Sequence, residues 1–269
     1  MTENIKIGAL VSGGGTNLQA ILDACDNGQV NGEVVFVGSD NPRAKGLDRG
    51  RACEIDTFTV DYGEIIRRYR DGALTETPPA DFNLREVWQK QSLFGAQADD
   101  LKVEAFLTTR AIAEKRLLEK IKPYKVDLLV LAGFMRNLTP YFIDRFAADP
   151  NHPNIMNIHP ALLPAFPGID GYGDTFRYGC KVGGCTVHFI DYGEDSGPII
   201  GQRAFAITET DDLASIRRKG LELEWQLYPE CIQMYAQKRL QLVTLTHTVG
   251  GSSVRQRKIV KIVQVPETQ

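Results

Sequence analysis

The chain has 269 residues, of which 43% are hydrophobic, and its formal net charge at pH 7 is -3. This length suits one large domain or two small ones, with a sizeable core. The near-neutral charge argues against nucleic acid as the main partner, and we find no run of the roughly 18 apolar residues that a membrane span needs. The N-terminal sequence "MTENIKIGALVSGGG" lacks the basic start of a signal peptide, so we expect a cytoplasmic protein.

Five cysteines are scattered along the chain, at positions 25, 53, 180, 185 and 231. Their odd number and irregular spacing favour reduced thiols over a disulfide framework. Cys180 and Cys185 are too far apart for the usual zinc knuckle, and no pair of histidines completes a ligand set. We therefore expect no metal site.

Strand and helix signals alternate in the first half of the chain. Short apolar runs predict strands at residues 5–11, 33–38 and 55–59, and helical spacing predicts helices at 17–26 and 43–53. The run "KVDLLVLAGF" at 125–134 is unbroken, as in a strand buried on both faces of a parallel sheet. This alternation predicts an α/β fold with a doubly wound, mostly parallel sheet and a Rossmann-like N-terminal half.

The second half has strand signals in closer succession, at residues 154–159, 183–190 and 198–207, followed by a long amphipathic helix at 211–238. This spacing predicts a mixed, partly antiparallel C-terminal half of the sheet. Residues 60–105 are polar and rich in turn signals, and we interpret them as an insertion, either a lid or an extra packing element. We divide the chain into a domain of residues 1–239 and an extension of residues 240–269, where two β-branched runs around "GGSS" predict a β-hairpin.

A glycine-rich loop, "SGGGTN" at residues 12–17, joins the first strand to the first helix. Glycines let main-chain N–H groups approach a ligand, and the helix N-terminus adds partial positive charge. Together with the side chains of Thr16 and Asn17, these features favour a phosphate site. The loop is neither a Walker loop nor a dinucleotide fingerprint, because it lacks Lys-Ser/Thr and Leu18 replaces the third glycine. A tight turn without a ligand stays the alternative.

Two polar residues end the strand at 154–159. Asn157 and His159 are two apart, so their side chains point to the same side. If this strand ends at the carboxyl edge of the sheet, the pair lies where open α/β folds bind ligands. An amide donor and an imidazole could stabilise an oxyanion and move a proton in acyl transfer. By themselves, however, such pairs are more often structural hydrogen-bonding devices.

An acidic loop follows the next predicted strand, within "CTVHFIDYGEDSGPII" at residues 185–200. A carboxylate from this loop could orient His159, favour its protonated form or accept a proton through water. For Asp191 and Glu194 the simpler interpretation is a solvated turn.

Six motifs in a fixed order resemble those of the folate-dependent formyltransferases, in particular the branch that acts on glycinamide ribonucleotide in purine biosynthesis. They cover most of residues 5–59 and 106–239, and they read "ALVSGGGTNLQAI", "SDNPRAKGL", "DLLVLAGFMRNLTP", "NIHPALLPAFPG", "TVHFIDYGEDSGPII" and "ELEWQLYP". The resemblance implies an enzyme of the formyltransferase fold. Its amine substrate would attack the formyl carbon of the co-substrate 10-formyltetrahydrofolate and release tetrahydrofolate.

The resemblance also implies roles for individual residues. The family's catalytic triad falls on Asn157, His159 and Asp195, with a second histidine, His188, beside the site. The resemblance assigns phosphate binding to the glycine loop and substrate binding to a glutamate of the long helix. The residues concerned are Gly14, Gly15, Thr16, Asn17 and Glu224. Folate binding falls on Phe134, Met135, Arg136, Asn137, Leu138, Asp191 and Glu194. The implied partners are small molecules, glycinamide ribonucleotide and folate, without nucleic acid or membrane, in a monomer or homodimer.

Parts of the chain depart from the family pattern. No histidine follows "PAFPG", so we transfer no roles to the loop at 169–182, and Asn137 replaces an aliphatic residue. A formyltetrahydrofolate hydrolase or a formyltransferase with another amine acceptor is the alternative. A formyltetrahydrofolate hydrolase would need a regulatory domain before residue 5, where the first strand is predicted to begin. Enzymes that formylate methionyl-tRNA or sugar nucleotides carry a separate C-terminal domain. A non-catalytic binding protein would not need all three triad residues.

Overall fold

Seven strands form one sheet in the computed structural model, which describes residues 4–147, 149, 151–249 and 253–264. The strands are β1 (Ile5–Val11), β2 (Gly32–Ser39), β3 (Asp56–Thr59), β4 (Leu128–Leu131), β5 (Ile155–His159), β6 (Val182–Phe189) and β7 (Ile199–Ala206). Their order is β3-β2-β1-β4-β5-β6-β7. The first five in sequence pair in parallel, whereas β6 pairs antiparallel with β5 and with β7. The predicted mixed α/β sheet is confirmed.

Eight α-helices surround the sheet among the residues described. They are α1 (Thr16–Asp26), α2 (Lys45–Ala52), α3 (Tyr62–Arg70), α4 (Leu84–Lys90), α5 (Asp100–Ile121), α6 (Pro140–Phe146), α7 (Gly171–Arg177) and α8 (Leu213–Ala236). α1, α2 and α8 contribute to an apolar core on one face of the sheet, and α3, α5 and α6 contribute to a core on the other. The sheet is therefore covered on both faces, as its apolar central strands require.

The central strand β4 is shorter than the run of apolar residues that predicts it. Lys125 and Gly133 have positive φ angles of 49° and 79°, and these left-handed positions bracket the strand. All four residues of β4 are buried. Its neighbours are β1 and β5, so the carboxyl ends of three parallel strands lie side by side in the middle of the sheet. This is the edge at which open α/β sheets bind ligands.

The segment predicted as an insertion, residues 60–105, forms α3, α4 and the first turns of α5. Its apolar side chains contribute to a third core cluster against α6, made of Val87, Val103, Leu107, Ala111 and Tyr141. The segment is therefore packed onto the domain along this length, in line with the packing alternative.

The C-terminal residues form a two-stranded antiparallel sheet of β8 (Leu240–Val249) and β9 (Ser253–Ile262). Leu240 and Val260 pack against the first core cluster. The connection at 250–252, which includes part of the predicted "GGSS" turn, lies outside the described residues. The domain boundary at residue 239 stays a prediction. Of the helices that the structure describes, none is long and apolar enough to cross a membrane.

Candidate active site

The end of β5 brings two polar side chains to the ligand-binding edge of the sheet. Asn157 is partly buried and His159 is almost fully buried, and both line a cavity of about 490 Å³. β5 lies between β4 and β6, so neighbouring strands fix both positions. Both members of the pair thus reach the same cavity wall, and their catalytic roles stay a prediction.

The loop between β6 and β7, residues 190–198, supplies the carboxylate. Asp195 Oδ2 lies 3.0 Å from His159 Nδ1, and the two side chains are only 12% and 3% exposed. The same oxygen accepts the backbone N–H of Gly168 at 2.8 Å. Asp195 has a φ angle of 49°, a left-handed conformation that is unfavourable for a residue other than glycine. Surrounding contacts must therefore hold this loop in place.

His159 has an acceptor at each ring nitrogen. Its Nε2 lies 2.7 Å from the carbonyl oxygen of Phe166, opposite the contact with Asp195. Neither partner can donate, so the imidazolium is the form that satisfies both contacts. Burial alone lowers the pKa of His159, but the hydrogen bond and negative charge of Asp195 outweigh burial and raise it above its usual value. Burial raises the pKa of Asp195, and its hydrogen bond and charge interaction with His159 outweigh this and hold the pKa well below its usual range.

A second histidine holds Asn157. The Nδ1 of His188 lies 2.9 Å from the carbonyl oxygen of Phe189, which places a proton on Nδ1. The other nitrogen, Nε2, lies 3.3 Å from Asn157 Nδ2 and 3.5 Å from Asp195 Oδ1. In neutral His188, Nε2 accepts from the Asn157 amide, and the second amide proton remains for a ligand. His188 thus contacts both Asn157 and Asp195 and orients the Asn157 amide.

A buried carboxylate of α8 forms the opposite wall. Glu224 is 5% exposed, and its two oxygens accept from Asn17 Nδ2 at 2.7 Å and from Tyr172 Oη at 2.6 Å. Burial raises the pKa of Glu224, although both hydrogen bonds oppose the rise. The amide nitrogen of Asn17 therefore binds Glu224, and its Oδ1 is buried without a partner. Sequence reasoning missed Tyr172, which lies in the segment where the family pattern fails.

The glycine loop leads into α1 without a side-chain cap and without an acidic residue in the first turn. Gly15 has a φ angle of 70°, and a Cβ there would lie 2.7 Å from the Cα of Gly46, so only glycine fits. Arg49, which the sequence did not single out, donates from Nε to the carbonyl oxygen of Gly14 at 2.9 Å. The uncapped N–H groups and this cation make the loop favourable for an anion.

Residues 134–138 form another wall, between β4 and α6. Phe134 and Leu138 are buried, whereas Met135 is 57% exposed. Arg136 pairs with the buried Asp40, so its guanidinium is anchored beside the cavity. Asn137 Nδ2 donates to Glu194 Oε1 at 3.1 Å and connects this wall to the loop of Asp195.

Arg110 of α5 also lines the cavity, and no sequence motif marks it. It is 6% exposed, its guanidinium lies over the rings of Tyr62 and Phe106, and its Nε has no hydrogen-bond partner. Burial lowers its pKa. A buried cation with an unpartnered N–H beside a cavity favours an anionic ligand group.

Most of the predicted site residues meet in this cavity. Those in its lining are the triad, Asn17, Glu224, residues 134–138 and Glu194. Gly14, Gly15 and Thr16 lie outside the lining, at the start of α1, and only the neighbouring Asn17 reaches it. Asp191 also lies outside, because its Oδ1 accepts from the Gly193 N–H and from Ser196 Oγ within the loop. Across the described residues, no group of three or more His, Cys, Asp or Glu side chains could hold a metal ion.

Comparisons with known proteins agree with this geometry. Residues 5–232 match the family described as "Formyl transferase". A phosphoribosylglycinamide formyltransferase of Bacillus subtilis is 30% identical over 85% of this chain and 93% of its own, and one of Haemophilus influenzae is 32% identical over 88% and 90%. The crystal structure of glycinamide ribonucleotide transformylase 1 from Symbiobacterium toebii superposes with a TM-score of 0.68, at 34% identity over 98% of this chain and 96% of that one. The chain therefore belongs to the formyl transferase family.

Proposed function

We propose that this chain transfers the formyl group of 10-formyltetrahydrofolate to the amino group of glycinamide ribonucleotide, which gives formylglycinamide ribonucleotide and tetrahydrofolate in purine biosynthesis. One observation carries the proposal. Asn157, His159 and Asp195 meet at one cavity wall, close to an open helix N-terminus, in a chain that belongs to the formyl transferase family.

The co-substrate supplies a formyl carbon for attack by the amine, and its formyl oxygen gains negative charge as the new bond forms. The free amide proton of Asn157 and a proton of imidazolium His159 are the donors for that oxygen. His159 Nε2–H already donates to the Phe166 carbonyl oxygen. To donate to the substrate, it must either bridge both oxygens or exchange the carbonyl for the formyl oxygen. Asp195 keeps the ring oriented and favours its protonated form.

The folate fits the cavity by chemistry and size. A volume of about 490 Å³ falls in the usual range of small-molecule sites, roughly 300–1,000 Å³. Buried apolar side chains at Phe134 and Leu138 suit an aromatic ring system. The unpartnered Nε of Arg110 suits a carboxylate of the folate glutamate.

The ribonucleotide fits the side of α1 and α8. Its phosphate is assigned to the N–H groups at Gly15, Thr16 and Asn17, where the helix end is uncapped. A carboxylate repels a phosphate dianion, so Glu224 is assigned instead to donors of the same substrate, its hydroxyl or amino groups. The cytoplasmic location and the monomeric or homodimeric state stay predictions.

An acceptor assay tests the proposal. The chain is incubated with 10-formyltetrahydrofolate, with glycinamide ribonucleotide or with water as the only acceptor, and tetrahydrofolate and the formylated product are quantified. We expect product only with the ribonucleotide, and at least about 100-fold slower turnover for His159→Ala. His152→Ala is the matched control, because His152 is 85% exposed and pairs with Asp149, away from the cavity lining. Formate release of equal rate without the ribonucleotide would instead identify a hydrolase.

A further inference from the structure

The loop at 190–198 carries Asp195 in a strained conformation, and contacts from outside the loop must maintain it. Within the loop, Asp191 binds only Gly193 and Ser196. The contacts with Gly168 and His159 hold the carboxylate of Asp195 from the catalytic side. The outer side of the loop faces a different part of the chain.

That part is residues 84–94, which comprise α4 and the four residues after it and which we name the buttress segment. The Ser92 N–H donates to the carbonyl oxygen of Tyr192 at 2.9 Å, and Ser92 pairs with Gly193 in an isolated parallel β-bridge. A Cβ at Gly193 would lie 2.9 Å from Ser92 Oγ and 2.3 Å from Ser196 Oγ. The two backbones therefore approach as closely as neighbouring strands, at positions two and three residues before Asp195.

A network of charged side chains also holds the buttress segment against the 190–198 loop. Tyr192 Oη donates to Asp144 Oδ1 on α6, and Lys90 Nζ, in the buttress segment, lies 2.8 Å from Asp144 Oδ2. Lys90 Nζ also lies 2.8 Å from Glu86 Oε1. The loop, α4 and α6 thus share one set of hydrogen bonds.

The buttress segment is itself anchored to the domain. Phe94 packs edge-on against Phe106 of α5, with ring centroids 5.0 Å apart. Val87 belongs to the third core cluster. The side chain of Gln91 accepts the N–H groups of Leu93 and Phe94 and closes a turn that contains Ser92. An anchored segment can hold the loop, whereas a mobile one could only follow it.

We propose that the buttress segment is a positioning element for catalysis, because it holds the outer side of the 190–198 loop and thereby keeps Asp195 against His159. This inference assigns a function to part of the insertion, and it rests on the proposed roles of Asp195 and His159. Ser92 acts through its backbone N–H, and Tyr192 through its hydroxyl. Neither residue lines the cavity.

If the buttress segment keeps Asp195 against His159, loosening it should shift the titration of His159, and a purely structural role would not produce this shift. The charged or titratable groups that face His159 are Asp195 from the loop, Glu224 from α8 and His188 from β6. The cavity is also lined by Asp170, Glu194, Arg110, Arg136 and Arg217. Only Asp195 and Glu194 of this set belong to the loop. Loosening the loop removes the nearest negative charge, so the titration midpoint of His159 falls while the fold remains.

Ser92→Pro tests the inference in the full-length chain. Proline removes the N–H that Tyr192 accepts, and the preceding residue Gln91 has φ -70° and ψ 146°, which a following proline tolerates. Ala96→Pro is the matched control, because residue 96 follows Gly95 at the second position of a turn closed by the Ala98 N–H, where proline is favoured. The measurements are steady-state kinetics and the NMR titration of His159 without substrate.

We expect Ser92→Pro to lower kcat about 10- to 100-fold and to move the His159 midpoint to lower pH, with Ala96→Pro unchanged in both. Tyr192→Phe should move both quantities in the same direction, and it keeps the test decisive if Ser92→Pro does not fold. The inference would be overturned if a folded Ser92→Pro variant had the kcat and the His159 titration of the wild type. If Ser92→Pro does not fold, the same result in Tyr192→Phe would overturn it. An inactive wild-type chain would instead refute the proposed function, and the titration would still test the contact.

Discussion

Replacing Asp195 with asparagine isolates the role of its charge. Asn has the same shape, and its carbonyl oxygen can take the place of Oδ2, which accepts from Gly168 and contacts His159. Its amide nitrogen then faces Nε2 of His188, 3.5 Å from the Oδ1 position, which is an acceptor in the neutral ring. We therefore expect Asp195→Asn to fold, to retain its hydrogen bonds and to lose only the negative charge.

The size of the effect follows from the geometry of the pair. Replacing the charged acceptor of one hydrogen bond with a neutral acceptor costs about 1–2 kcal/mol. The Coulomb interaction over 3.0 Å sets an upper bound of about 5 kcal/mol at an effective dielectric constant of 20. With a tenfold change in rate for about 1.4 kcal/mol, these values bracket a fall in kcat between about 5-fold and about 5,000-fold, and we expect a fall of about 100-fold within that range. Burial keeps solvent from screening the pair, so the effect should persist at high salt.

The assay is the pH dependence of kcat at saturating substrates, together with thermal unfolding. Asp195 raises the pKa of His159, so the alkaline limb of the variant should lie at lower pH than that of the wild type. A near-normal kcat with an unshifted limb in Asp195→Asn would refute the catalytic role of this pair. His152→Ala, at an exposed position, serves as the control for both measurements.

The same pair contributes stability over a definite pH range. The pKa of His159 is raised, so its contribution is fully present below the ordinary histidine pKa of about 6.5 and is lost as pH rises through the raised pKa. The pKa of Asp195 is lowered, so its contribution is present above about pH 4 and is lost as pH falls through the lowered pKa. Asp195→Asn should therefore lower Tm most between about pH 4 and 6.5.

Three further predictions concern the binding walls. The double variant of Thr16 and Asn17 to alanine should raise the Michaelis constant for the ribonucleotide, measured at saturating folate, because it removes the Thr16 hydroxyl at the assigned phosphate site and the Asn17 amide that binds Glu224. Gly15→Ala should lower the free energy of unfolding by at least about 1–2 kcal/mol in urea titrations, because φ is positive and the added Cβ meets backbone. Tyr172→Phe should lower it by about 1–3 kcal/mol, because an oxygen of buried Glu224 loses its donor.

Two of the three have a comparison within the chain. At Gly13 an added Cβ meets nothing within 4 Å, so Gly13→Ala should unfold like the wild type. Tyr178 is 80% exposed, so Tyr178→Phe should also be neutral. An unchanged Michaelis constant in the double alanine variant would show that the side chains of Thr16 and Asn17 take no part in binding the ribonucleotide. Equal stability of the Gly15 and Gly13 variants, or of the Tyr172 and Tyr178 variants, would contradict the packing argument.

Local sequence patterns were sufficient for the architecture and for the orientation of the central pair. Alternating apolar runs predicted a parallel sheet, and a period of two placed Asn157 and His159 on one side of their strand. These properties depend on residues close in sequence, where backbone geometry leaves few choices. The family motifs added Asp195, 36 residues after His159 in the sequence.

Only the tertiary structure decided how these residues are held. Arg110 enters the cavity from α5 and Tyr172 reaches Glu224 from α7, and no local pattern marks either, because each contact joins residues distant in sequence. The β-bridge of Ser92 to Gly193 is of the same kind. The sequence by itself determined which chemical groups are present and on which strand edge they lie. Their distances, burial and protonation depend on packing between elements, which brings together groups that the sequence keeps far apart.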